Sequence, residues 1–350
     1  MIRHYTRVCN FYYGNESKLL VNKKKSIPLC GNKEISFDHV EVISRNSKKK
    51  IPLNKINNLP RLEKKQIILD LNKIKSKKKN FANLNFLKIP NIMGVLNLTP
   101  DSFSDGGSFN TKIKGSKHAL KMINSGANIV DIGGESTRPG SKSVDGNLEW
   151  KRIEKVIKFM SKKIPISLDT RKSEIMKKGI NHGVKIINDV SGLSYDSETI
   201  NILKENKIPF VIQHAQGLPS NMQNNPHYKN VLLDIYDFFE EKIKYIRSIG
   251  IKHNNIIIDP GIGFGKNLKH NMTLLKNISI FHSLGFPILV GNSRKKFIKE
   301  AAKKNDSYDR IGGTIASSIY LMMQGVQILR IHDVNELVQG VKVFNKLIKN

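Results

Sequence analysis

Between residue 91 and the end of the chain, short apolar runs rich in β-branched residues alternate with longer amphipathic stretches. The runs are NIMGVLN (91–97), NIVDIGGE (128–135), PISLD (165–169), VKIIND (184–189), PFVIQH (209–214), NIIIDP (255–260), PILVGNSR (287–294) and VQILRIHD (326–333). Continuous runs of this kind read as strands of a parallel sheet that is covered on both faces. The stretches between them carry helical spacing. Across Leu148 to Met160, the residues Ile153, Val156, Ile157 and Met160 share one face, and Gly126 stands where a helix C-cap is wanted. Eight strand-helix units in about 260 residues match the size of a (βα)8 TIM barrel. An open doubly wound sheet is the alternative. It explains less well why nearly every run ends in a polar or charged side chain, which a barrel gathers at one mouth.

Residues 1–88 are patterned more weakly and read as a Lys-rich extension or small subdomain, with 89–350 forming the barrel. The extension is expected to hold one strand at Phe37 to Ile43 and one helix from Pro60 to Lys75, whose Ile67, Leu71 and Ile74 fall on one face. The blocks Lys48 to Lys50 and Lys77 to Lys79 read as solvated loops. No role follows for this segment from its residues.

The formal charge of +30 on 350 residues at first suggests a nucleic acid or a membrane surface as partner. The distribution argues otherwise. Residues 1–88 hold 21 Lys and Arg against 6 Asp and Glu, and the remainder 38 against 23, so each part carries +15 and neither forms an isolated stripe. A mild pull on polyanionic substrates is the expected effect, and nucleic-acid binding is not expected as the main function. A hydrophobic share of 39% suffices for a large core. No stretch approaches the roughly 20 apolar residues that a membrane-spanning helix needs. Cys9 and Cys30 are the only cysteines, too few for a disulfide framework or a thiolate metal cluster, and a cytoplasmic location is expected.

The run ends supply Asn97, Glu135, Asp169, Asn188, His214, Asp259, Arg294 with Lys295, and Arg330 with His332. Each alone has a plain reading as a helix cap, a turn residue or a solvated charge. Their recurrence at equivalent places in successive units is what those readings leave unexplained. Runs seven and eight bring the cations, with Ser293 beside Arg294 and Lys295, at the part of a barrel where phosphate sites are common. Asp169, Asn188 and Asp259 are acceptors suited to the N–H edge of a flat heterocycle. An anionic group beside a hydrogen-bonded ring is therefore expected. Glycine-bearing turns at 104–107, 133–140 and 259–266 flank the site. The last, DPGIGFGK, lacks the spacing of a P-loop, because Pro260 stands where its first glycine belongs and Asn267 follows Lys266.

MGVLNLTPDSFSDGG (93–107) and GANIVDIGGESTRPGS (126–141) closely resemble the two signature segments of dihydropteroate synthases. The likeness continues in family order through SLDTRK (167–172), INDVSG (187–192), HAQGLPSNMQ (214–223), DPGIGFGK (259–266), GNSRK (291–295) and RIHDV (330–334), and covers about residues 90–345. The resemblance implies condensation of 6-hydroxymethyl-7,8-dihydropterin pyrophosphate with p-aminobenzoate to give 7,8-dihydropteroate and pyrophosphate. It implies Mg²⁺ as cofactor, held with the pyrophosphate by Asn97, a sulfonamide-sensitive site, and a homodimer formed through barrel helices. It assigns the pterin to Asp169, Asn188, Asp259 and Lys295. Arg330 and His332 would meet the pyrophosphate and the pterin face, and Asn97, Lys295, Arg330 and His332 would carry the chemistry. Thr137, Arg138, Pro139, Phe264 and Ser293 would line the p-aminobenzoate and pyrophosphate side. Two departures from the family pattern stand out: Lys296, where many relatives carry a small hydroxyl residue, and Ala215, where Met is usual. A pterin-binding methyltransferase acting on methyltetrahydrofolate is a weaker reading, since it leaves the segments NLTPDSF and STRPG and the paired cations unexplained. A basic RNA-associated protein without catalysis is a third.

Overall fold

The computed structural model describes residues 3–99, 111–136, 141, 143–217, 222–303 and 310–349. Eight parallel strands form one sheet: β5 (Asn91–Asn97), β6 (Ile129–Gly133), β7 (Ile166–Asp169), β8 (Ile186–Asp189), β9 (Phe210–Gln213), β10 (Ile256–Asp259), β11 (Leu289–Val290) and β12 (Ile328–Ile331). Their order is β10-β9-β8-β7-β6-β5-β12-β11, and a parallel bridge between Ile258 and Ile288 joins the two ends. The result is a closed (βα)8 barrel. Around it lie α3 (Thr111–Asn124), α4 (Gly146–Met160), α5 (Ser173–Asn181), α6 (Thr199–Asn206), α7 (Val231–Ser248), α8 (Leu268–Lys276), α9 (Lys296–Ala302), α10 (Ile311–Met323) and α11 (Val334–Lys349).

The strand registers explain how one sequence serves two cores. Side chains alternate across a strand, so every second residue faces the barrel axis. Met93, Ile129, Ile186, Val211, Ile257, Leu289 and Ile328 form the lower interior layer, while their neighbours Val130, Ile132, Leu168, Ile187, Ile212 and Ile258 pack outward against the helices. Continuing upward along the inward set, the apolar residues give way to Asp131, Ser167, Asp169, Asn188, Gln213, Asp259, Arg330 and His332. The mouth is polar because that set changes character near the C-terminal ends of the strands. Helix starts and stops follow local chemistry: the Asp145 carboxylate accepts from the Asn147 and Leu148 amides at the start of α4. Gly126 adopts φ +109 just after α3, where a Cβ would press on Val338 at 3.1 Å.

The N-terminal region is richer than its sequence pattern indicated. In place of a single strand, β1 (Tyr5–Tyr13), β2 (Ile27–Leu29), β3 (Asn32–Ile43) and β4 (Lys48–Pro52) form an antiparallel sheet, with α1 (Gly14–Asn22) between β1 and β2. The expected strand lies inside β3, and the expected helix is α2 (Arg61–Lys75), with Ile67, Leu71 and Ile74 buried against Val8, Phe37, Val40 and Ile51. Lys48 to Lys50 are not loop residues but the exposed start of β4, and charge on a sheet edge discourages pairing with other chains. Of the second lysine block, Lys78 is buried and donates to the Lys73 carbonyl and the Ser76 hydroxyl, each at 3.0 Å. The sheet is fastened to the barrel by Arg45 on Asp234 and Asp237, by the Tyr5 hydroxyl on Asp237 at 2.9 Å, and by the Ser279 hydroxyl on the Val8 carbonyl at 2.9 Å. Leu84 and Phe86, in the connection that follows α2, fill the floor of the barrel beneath the lower interior layer.

Candidate active site

The polar mouth contains a buried hydrogen-bonded hub. Arg330, from β12, donates through Nε to Asp131 Oδ2 at 2.6 Å and through Nη2 to Asp169 Oδ2 at 2.6 Å. Asn188 donates from Nδ2 to the same Asp131 oxygen at 2.9 Å. Within this group the atoms Asp131 Oδ1, Asp169 Oδ1 and Asn188 Oδ1 are buried and find no hydrogen-bond partner among the described residues, and the same holds for Ser167 Oγ and Gln213 Nε2 on the neighbouring strands. Buried polar groups are nearly always hydrogen-bonded, so a concentration of unpartnered atoms at a barrel mouth marks where a polar ligand sits. Three of the five are carboxylate or amide oxygens. The well therefore suits a ligand edge rich in N–H donors.

Burial sets the electrostatics here. It pushes the Asp259 carboxyl up to about 6, against the pull of the Gly261 amide and of Lys295. Burial likewise raises Asp169, with Arg330 opposing the rise and Asp131 adding to it. Lys266 is driven down to about 7 by burial, although Asp259 pulls it back up. Its ammonium is held by His214 Nδ1 at 3.0 Å and by the Phe264 carbonyl at 2.9 Å. This contact fixes the glycine-bearing loop against the end of β9. Gly261 adopts φ +67, and a Cβ there would lie 1.9 Å from the His214 carbonyl oxygen, so the close approach requires glycine.

Beside the well opens a cavity of about 540 Å³, lined among others by Asn97, Phe264, Ser293, Lys295, Lys296, Arg330 and His332. The Lys295 ammonium lies 4.0 Å from the centre of the Phe264 ring, a cation–π contact that holds an aromatic wall beside a charge. His332 meets the Ser293 hydroxyl through both its backbone amide, at 3.2 Å, and its ring Nδ1, at 3.1 Å. The cavity thus joins an apolar wall to a cationic rim. Among the described residues no group of three or more His, Cys, Asp or Glu side chains could hold a metal ion.

The structure brings Asn97, Phe264, Ser293, Lys295, Arg330 and His332 to the cavity and Asp169, Asn188 and Asp259 to the inward face of the strands they end. Thr137, Arg138 and Pro139 lie outside the described residues. Two strand-end residues, His214 and Glu135, do other work than a place at the mouth suggests. His214 turns outward, its ring 4.9 Å from that of Phe238 on α7. Arg294 lines the cavity and also donates through Nε to Asp333 Oδ2 at 2.9 Å. Glu135 accepts from Arg171 Nε at 2.9 Å, from Lys172 Nζ at 3.1 Å, and from the Ser143 hydroxyl and the Val144 amide, both at 3.0 Å. Burial opposes its ionisation, but these bonds prevail and hold it down to about 2. Glu135 therefore ties residue 135 to residue 144 across the intervening segment. The two departures also have definite places. Lys296 pairs with Glu300 at 3.1 Å on α9, and Ala215 lines a second cavity of about 460 Å³ together with Arg171, Tyr195 and Phe264.

Asp131 and Lys266 were not singled out from the sequence. For Asp131 a signal was there to find: it is the one acid inside an apolar strand, on the same parity as the inward Ile129.

The chain is similar throughout its barrel to known proteins of one family. Residues 93–332 match the family model described as pterin binding enzyme. The chain is 41% identical over 259 residues to the dihydropteroate synthase of Escherichia coli strain K12, covering 73% of this chain and 91% of that one. It is 38% identical over 258 residues to the dihydropteroate synthase of a Synechocystis species, covering 73% and 89%. Among solved structures it is similar to the Yersinia pestis dihydropteroate synthase in a sulfonamide drug complex, with a TM-score of 0.72, 36% identity and coverage of 76% and 97%. It is also similar to the Xanthomonas albilineans enzyme in complex with 7,8-dihydropteroate, with a TM-score of 0.68, 32% identity and coverage of 75% and 95%.

Proposed function

Because the chain belongs to the pterin-binding enzyme family, we propose that its barrel mouth carries out the dihydropteroate synthase reaction. The amine of p-aminobenzoate displaces pyrophosphate from 6-hydroxymethyl-7,8-dihydropterin pyrophosphate, so a C–N bond forms as the C–O bond breaks and the amine releases a proton. The observation that best supports this reading is the pairing of buried, unpartnered oxygens on Asp169 and Asn188 with a cavity rimmed by Lys295, Arg330 and His332. A pterin presents N–H donors along one edge and the pyrophosphate carries the negative charge, so one substrate uses both halves of the site.

Asp169, Asn188 and Asp259 would accept from the pterin, and Lys295 and Arg330 would lie along it. Arg330, His332 and Ser293 would stabilise charge that grows on the departing pyrophosphate, the term that preorganised donors lower most effectively. The Phe264 wall, with Thr137, Arg138 and Pro139, would orient the arylamine, so that proximity takes the place of an activated protein nucleophile. The same pocket would take sulfonamides, with Lys296 at its rim.

Asn97 offers a single amide oxygen, and no cluster of His, Cys, Asp or Glu that could hold a metal surrounds it among the described residues. That donor set suits Mg²⁺ only as an ion shared with substrate oxygens, which is how this hard cation is commonly held. Bound there, it would supply charge neutralisation at the pyrophosphate. A homodimer through the outer helices is part of the same reading.

The test is pyrophosphate release from the purified protein given dihydropterin pyrophosphate and Mg²⁺, with and without p-aminobenzoate, and with the pteridine product identified by mass. Release that requires the amine and yields dihydropteroate is expected. Bound pterin without amine-dependent release would overturn the assignment.

A further inference from the structure

From its position at the centre of the mouth, we infer that Asp131 is a positioning residue that sets which face of the Asn188 amide meets the pterin and holds Arg330 in register; this rests on the reading of the site as a pterin pocket. Asp131 is fully buried, and one of its oxygens receives both the Arg330 Nε–H and the Asn188 Nδ2–H, at 2.6 and 2.9 Å. A carboxylate bound to a guanidinium can only accept, so Asn188 must turn its NH₂ toward Asp131. Its Oδ1, buried and without a partner among the described residues, is thereby presented as an acceptor. An asparagine left to itself can turn either edge to a ligand; Asp131 removes that choice. The residue touches the ligand edge through Asn188 and Arg330 rather than by taking part in the chemistry.

The same geometry fixes the guanidinium plane. With Nε on Asp131 and Nη2 on Asp169, two carboxylates from adjacent strands hold Arg330 from two sides, and rotation about its terminal bonds is blocked. Arg330 lines the cavity with the cationic rim, so Asp131 connects the amide that would read the pterin to the cation that would face the pyrophosphate. An acceptor oxygen is required for both contacts, because each donor brings its own hydrogen to one of the two lone pairs of a single oxygen.

The consequence can be separated from simple loss of structure. Asp131→Asn keeps an oxygen able to accept from Asn188 and Arg330, whereas Asp131→Leu keeps the volume and removes the acceptor. Binding of 6-hydroxymethylpterin to the full-length protein, followed by fluorescence, is expected to weaken by less than about fivefold in Asp131→Asn and by about 30-fold or more in Asp131→Leu. In steady state the loss is expected in KM for dihydropterin pyrophosphate, with KM for p-aminobenzoate unchanged. If Asp131 acts through Asn188, the losses in Asp131→Leu and Asn188→Leu do not multiply, and the double variant falls at least tenfold short of their product. Losses that do multiply, or Asp131→Leu with wild-type pterin affinity, would overturn the inference. Should Asp131→Leu not fold, Asp131→Ser and the corresponding double variant with Asn188→Leu give the same cycle. Failure of the wild-type protein to bind the pterin would instead overturn the reading of the site.

Discussion

Asp259 carries the sharpest conflict between stability and function at the level of single residues. Its carboxyl is buried and raised to about 6, so the folded chain holds this proton more tightly than the unfolded chain does. Stability from this group is therefore present at pH below about 4 and is lost as pH rises through about 6. Its ligand-binding role runs the other way, because the ionised form, with no proton of its own to place, is the stronger acceptor for a pterin N–H. Asp259→Asn is thus expected to raise Tm at pH 8, equivalent to up to ~3 kcal/mol, with the gain shrinking toward pH 5. It is also expected to lower kcat/KM for dihydropterin pyrophosphate by at least about 100-fold, and wild-type kcat/KM is expected to fall with a one-proton slope below about pH 6. Melting curves and a pH-rate profile check both, and a variant less stable at pH 8 would contradict the argument. At this scale much of the site was legible. Asp169, Asn188, Asp259 and Arg330 stand at strand ends, where parity alone turns them inward, and Lys295 follows β11 through a turn to the N-cap of α9. His214 was misread because it lies one residue beyond the inward Gln213, and that single step turns its ring to the helical layer.

The barrel strands were readable because each is buried on both sides and so appears as an unbroken apolar run. The N-terminal strands obey a different rule. β1 and β3 mix buried with partly exposed positions in no regular alternation, each carrying polar side chains among its apolar ones, and β4 opens with three exposed lysines, so no period-2 pattern stands out. The floor of the barrel was also hidden, since Leu84 and Phe86 sit in an irregular stretch with no periodicity to betray them. Phe86 is nearly inaccessible, meets the Phe81 ring edge-on at 5.4 Å between centroids, and packs beneath the lower interior layer. Conservation of volume matters in such a place, and Phe86→Ala is expected to cost about 3–5 kcal/mol in urea unfolding. The mouth lies at the other end of the strands, where the floor makes no contact with the ligand groups. The KM values of the folded variant are therefore expected to stay within about twofold of wild type; a selective loss of pterin affinity would mean that the floor shapes the site.

At the scale of the molecule, the charge of +30 is divided evenly between the extension and the barrel, and the mouth uses only a few of those cations. On the outer surface the face of α10 lacks charge altogether. Helix α10 has no charged residue along Ile311–Met323, yet Gly312, Ala316 and Tyr320 are exposed at successive four-residue steps, so they form one stripe. Space above Gly312 is open, with nothing within 4 Å of a Cβ built there. Helix α11 packs on α10 through Gly340, where a Cβ would stand 3.0 Å from Ile315, and beyond that contact it exposes Val343 and Leu347 at 58% and 72%. In a chain this rich in lysine, an uncharged helix face next to exposed aliphatic side chains is an expensive surface to leave in water, and small residues let a second helix approach closely. A second copy related by a twofold axis would cover the stripe with its own equivalent, the self-complementary contact typical of homodimers. Light scattering behind a sizing column is expected to give twice the 39.7 kDa chain mass at micromolar concentration. Tyr320→Lys combined with Val343→Lys would place like charges opposite each other across the axis and is expected to yield monomers with an intact pterin Kd, because neither residue lines the mouth. A monomeric wild-type protein, or a dimer untouched by both lysines, would move the interface elsewhere on the barrel.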